Sequence, residues 1–68
     1  MFYVIEIQVN NGVASHLVTS FDNRRAAMSD FHRVLQYAAI STADVHSCVV
    51  IDERGGIVAT DFFEKDVD

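Results

Sequence analysis

The chain has 68 residues, half of them apolar, a net charge of −5 and a single cysteine. A chain of this length makes one domain and buries only ~60% of the surface its unfolded form exposes. One cysteine excludes an internal disulfide, and no zinc-ribbon or zinc-finger spacing is present, so the usual staples of very small domains are missing.

Phe2 to Val9 form an apolar, β-branched run interrupted only by Glu6 and Gln8, and read as a strand. Asn10, Asn11 and Gly12 follow, a tight-turn signal because Asn and Gly tolerate positive φ. Residues 13–20 read as the return strand of a hairpin. From Asp22 the period changes. Ala27, Met28, Phe31, Val34, Leu35 and Ala38 recur at three- and four-residue spacing, which predicts a helix from about Asn23 to Ala39 with Asp22 as its N-cap. A second hairpin closes the chain: "DVHSCVVID", the turn "ERGG", and "IVATDFFE".

The pattern is ββαββ. It predicts an α+β domain over residues 1–64, a four-stranded, mostly antiparallel sheet with the helix packed on one face, and a frayed acidic tail over residues 65–68. The opening strand, the most apolar, is expected in the middle of the sheet. One helix covers one face only. If Tyr3, Ile5, Ile7 and Val9 lie under it, the helix-free face carries Phe2, Val4, Glu6, His16, Val18, His46, Cys48 and Val50. These eight are the candidate interface. A half-apolar face on a small chain without a staple points to a homodimer or higher oligomer, through that face or an edge strand.

Charge is unevenly placed. Residues 41–68 carry seven acids against Arg54 and Lys65, a net −5, while residues 22–40 are net +1. Five basic residues in all argue against direct nucleic-acid binding, and the acidic C-terminal half permits a basic protein partner. No apolar run approaches the ~20 residues of a membrane span, and no basic segment leads into an apolar stretch at the N-terminus. With the lone thiol, this gives a cytoplasmic expectation.

Chemistry-bearing groups are sparse. His46 and Cys48 are two apart on a strand and share a face, and His16 is a conceivable third metal ligand, but no ligand-spacing motif surrounds them. Side chains at i and i+2 on a strand stand ~6–7 Å apart, too far for a working Cys–His pair. The acid pairs Asp52–Glu53 and Asp61–Glu64 fall in a turn and near the tail rather than in an apolar pocket. No catalytic residue, metal site or cofactor is expected. Tyr3, Tyr37, Phe62 and Phe63 remain as aromatic anchors for recognition or for the core.

The stretches "MFYVIEIQ", "AAMSDFHRVLQYAAIS" and "VHSCVVIDERGG" resemble a group of very small proteins encoded by phages and integrated mobile elements of Gram-positive bacteria. The likeness rests on the Tyr-Val-Ile-Glu-Ile-Gln start, the aromatic-His pair Phe31–His32 and the later Val45–His46. It implies a bacterial or phage setting and carries over no functional residue. The expected function is a non-enzymatic, self-associating protein-interaction module, an accessory protein of a phage or mobile element. The alternatives are an acidic inhibitor of a host nucleic-acid-binding defence protein and a small virion or assembly component.

Overall fold

The computed structural model describes residues 1–65, so most of the expected frayed tail lies outside the described residues. Strand β1 spans Phe2–Asn10 and β2 spans Val13–Phe21. Helix α1 spans Arg24–Ala38, β3 Val45–Asp52 and β4 Ile57–Glu64. The four strands form one antiparallel sheet in the order β2-β1-β3-β4, and α1 packs on one face. The ββαββ, α+β architecture and the central place of the opening strand are as the sequence predicts.

Local chemistry explains the elements. Asn11 and Gly12 both have positive φ, 53° and 79°, the requirement of a two-residue type I′ hairpin turn whose twist matches the strands. The helix begins one residue later than expected. Asn23, not Asp22, is the N-cap: its side-chain oxygen accepts the Ala26 N–H at 2.8 Å. No glycine closes the other end. The chain tightens instead, with Ile40 N–H donating to the Tyr37 carbonyl at 3.2 Å. In the β3–β4 loop one Asp52 oxygen accepts the backbone N–H groups of Arg54 and Gly56, each at 2.9 Å. These bonds, Gly56 first, hold the Asp52 carboxyl below its usual range. A Cβ on Gly56 would stand 3.1 Å from that carboxylate, tighter than ordinary contact.

The register breaks once, between Val50 and Ile51 of β3. Val50 pairs with Ala59 and Ile51 with Ile57, so Val58 is the extra residue of a β-bulge. The bulge lets Val58 and Ala59, neighbours in sequence, both pack against the core.

Which face of the sheet the helix covers follows from stereochemistry. The strands β2 and β3 are each antiparallel to β1, hence parallel to each other, and α1 crosses over β1 to join them. The two-residue turn makes Asn10–Val13 a hydrogen-bonded pair, so even-numbered residues of β1 turn their backbone groups toward β2. Odd ones turn toward β3, as the Val9 carbonyl does in accepting the Asp44 N–H at 2.9 Å. For L-residues, that lateral direction dictates which way the side chain points. A right-handed crossover then places the helix over the even-numbered residues of β1.

The core has that composition. Val4, Cys48 and Val50 from the sheet meet Ala27, Phe31 and Val34 from α1, with Phe2, Phe21, Met28 and Leu35 around them. Val50 is fully buried, and small sheet residues let the helix sit close enough to insert Phe31. This corrects the sequence expectation. Val4, Cys48, Val50 and His46 do not line a helix-free face; they lie buried beneath α1.

Candidate interaction surface

The cross-strand registers sort every candidate. Residues directly opposite one another share a face. Glu6 lies opposite Cys48, Gln8 opposite His46 and Phe2 opposite Asp52, so Phe2, Val4, Glu6, His46, Cys48 and Val50 all belong to the helix-covered face. His16 and Val18 belong to the other, because they lie opposite Ile7 and Ile5. The eight expected interface residues are therefore split six to two. The reason is again the two-residue turn. Asn10 faces Val13 across it, so residue parity inverts between β1 and β2. Val4 and Val18 share a parity but not a face.

His16 is thus separated from His46 and Cys48 by the thickness of the sheet, and the three cannot converge on one ion. Among the described residues no group of three His, Cys, Asp or Glu side chains is arranged to hold a metal. His46 is instead tied to Glu6: its Nε2 lies 2.6 Å from a Glu6 carboxylate oxygen, while its buried Nδ1 has no partner among the described residues. Burial pushes the Cys48 thiol up to about 11, assisted by the negative charges of Glu6 and Asp30. A thiol so protonated at neutral pH is a packing group, not a nucleophile.

The uncovered face is built from the other set. One row across the sheet reads Val18, Ile5, Val49, Thr60, and the next His16, Ile7, Ser47, Phe62. The rows on either side begin Ser20, Tyr3, Ile51 and Ala14, Val9, Val45. Glu64, at a corner, is its one carboxylate among the described residues. The covered face, by contrast, holds Glu6, His46, Asp52 and Asp61. Charge is therefore distributed the opposite way from an ordinary one-helix sheet, where the solvated face alternates to polar. With strands ~4.8 Å apart and ~3.3 Å per residue, the face has a footprint of about 450 Å², the scale of patches that carry function.

Of the four aromatic candidates, Tyr3 lies on this uncovered face opposite Ser20. Phe62 and Phe63 point to opposite sides, Phe62 onto the uncovered face opposite Ser47 and Phe63 toward the helix side opposite His46. Tyr37 is exposed on α1.

No family model, curated protein or solved structure gives a significant match to the chain. No helix among the described residues is long and apolar enough to cross a membrane.

Two recesses lie on the surface of the described residues. One of about 170 Å³ is lined by Glu6, Gln8, Ser15, His16 and Leu17, and its one carboxylate is already bonded to His46. The other, about 330 Å³, lies between the end of α1 and β4 and is lined by small residues with Phe63, Glu64 and Lys65. Among the described residues, no Ser or Thr hydroxyl lining either recess is hydrogen-bonded to a His or carboxylate side chain.

Proposed function

We propose that this chain is a small non-enzymatic protein-interaction module that self-associates by stacking its helix-free sheet face on that of a second copy. The observation that carries the reading is the inverted charge distribution. Glu6, His46 and Asp52, the carboxylate and imidazole groups of the inner strands, belong to the helix-covered face, and Tyr3, Ile5, Ile7, Val49 and Ile51 sit on the bare side. Two such faces stacked would remove on the order of 1,000 Å² from water, the area at which a specific interface becomes plausible. A second copy is a fitting occupant because the face opposes no like charges to itself near its centre. The resemblance to small phage and mobile-element proteins supports an accessory role in that setting.

Nothing in the placement of the acids favours a phosphate mimic. Asp52 and Glu53 lie at one end of β3, and Asp44 and Glu64 at the other, roughly 23 Å away at the rise of a strand. Asp30, Asp52, Glu53 and Glu6 are moreover engaged with Arg33, Arg54, the N-terminus and His46.

Light scattering on the wild type and on Val49→Lys tests the proposal. The wild type should run as an oligomer, and a lysine at the centre of the bare face should lower the mass by a factor of two while leaving the circular dichroism spectrum unchanged. A monomeric wild type, or an unaltered mass for Val49→Lys, rules out the face.

A further inference from the structure

Strand β2 is the least protected element of the molecule. Every residue from Val13 to Ser20 is exposed, because α1 lies mainly over β1 and β3 and leaves most of the outer strand bare. It is also an edge strand, and among the described residues one whole row of its backbone groups has no partner. Natural edges are guarded by lysines, inward-pointing charges, prolines or bulges. The β4 edge is guarded in this way, by Asp61, Glu64 and the bulge at Val58. The β2 sequence, VASHLVTSF, contains no acid, lysine, arginine or proline, and its register with β1 runs unbroken over nine pairs.

From these observations we infer that the free edge of β2 pairs antiparallel with β2 of a second copy about a two-fold axis at Leu17, giving one continuous eight-stranded sheet. The inference is independent of the stacked-face reading, since it uses a different surface.

Three features fit. The type I′ turn and the alternation of an antiparallel ladder turn the N–H and C=O groups of Ala14, His16, Val18 and Ser20 toward the free edge. Leu17 is the midpoint of β2, so an axis there pairs every residue of the strand. It also brings His16 opposite Val18 and Ala14 opposite Ser20, and these are the residues whose backbone groups are free to bond. The side chains then match by type: Val13 meets Phe21, Ser15 meets Thr19, and Leu17 meets its own mate. Leu17 sits on the helix side of the sheet yet is 62% exposed, with little cover from the other described residues. At a non-hydrogen-bonded pair, where facing Cα atoms approach to ~4.5 Å, the second Leu17 would supply that cover. Two β4 edges centred on one another would set Asp61 of one copy opposite or diagonal to Asp61 of the other.

Disulfide trapping and amide exchange test the register. A Leu17→Cys chain should oxidise to a covalent dimer at least about tenfold faster than a Val13→Cys chain, since a separation of ~4.5 Å suits a disulfide. Val13 meets Phe21 rather than itself, and the native Cys48 is buried and silent. In the wild type, the amides of Ala14, His16, Val18 and Ser20 should gain protection together as concentration rises. Equal trapping rates for the two variants, no trapping, or free exchange at these four amides would overturn the edge pairing. Each of those results leaves the Val49→Lys outcome unaffected, so the two surfaces are judged separately.

Discussion

The His46 Nε2 atom lies 2.6 Å from the carboxylate of Glu6, two strands joined beneath the helix by one charge-assisted hydrogen bond. Glu6 and His46 are diagonal neighbours across the β1–β3 ladder, and His46 is only 4% exposed. Gln8 adds a long contact to the same carboxylate oxygen at 3.4 Å.

Removal of the carboxylate should strand the ring. Glu6→Ala would leave both nitrogens of His46 without a partner, costing roughly 1–3 kcal/mol. Each kcal/mol lowers the melting temperature of a domain this size by about 4–8 °C. Glu6→Gln keeps an acceptor oxygen in reach and should lose less. Thermal melts of the three proteins decide the matter, and an unchanged melting temperature for Glu6→Ala would show that the bond contributes nothing net.

Val49 and Val50 are adjacent on β3 and point to opposite faces. Val50→Ala removes two fully buried carbons and should cost roughly 2 kcal/mol of fold stability. Val49→Ala should cost the fold less than about 1 kcal/mol, as a change outside the core does. Urea unfolding at high dilution, where any oligomer has dissociated, reads the difference directly. Equal losses would contradict the face assignment.

The Cys48 thiol should resist modification. With its folded value pushed up to about 11, a disulfide reagent at pH 8 should label the native protein only as fast as it opens, and label the unfolded chain at once. The same shift makes a stability statement. A raised thiol contributes stability that is fully present below its ordinary value of 9.0 and is lost as pH rises toward about 11. Cys48→Ala should remove that alkaline loss, although it weakens the core at neutral pH. Native labelling as fast as unfolded labelling would show an accessible thiol and sink the claim.

Much of the fold was legible in the residues. The stripe from Ala27 to Ala38 is the buried stripe of α1, and "IVATDFFE" is β4 to the residue. The N-cap moved from Asp22 to Asn23 because either side chain can accept a first-turn N–H, and the strand leaving Phe21 decides which is in place. The helix covers the other face from the one hydrophobicity predicts, for a stereochemical reason. Hydrophobicity alone favoured Tyr3, Ile5 and Ile7 as the covered set. Yet the decisive signal was present in Asn11–Gly12: a two-residue turn sets the hydrogen-bonding parity of β1, and right-handed crossover then selects the even-numbered side.

Element type and order rest on interactions between residues near in sequence: periodicity, turn chemistry and an N-cap. These were readable along the chain. The burial of Val4, Cys48 and Val50, the Glu6–His46 bond and the exposure of Leu17 rest on contacts between distant segments. They depend on the hand of the crossover and on how far one 15-residue helix reaches across four strands. Such a helix covers mainly the inner pair and reaches the outer strands only in part, which leaves, among the described residues, a bare apolar face and an unguarded β2 edge.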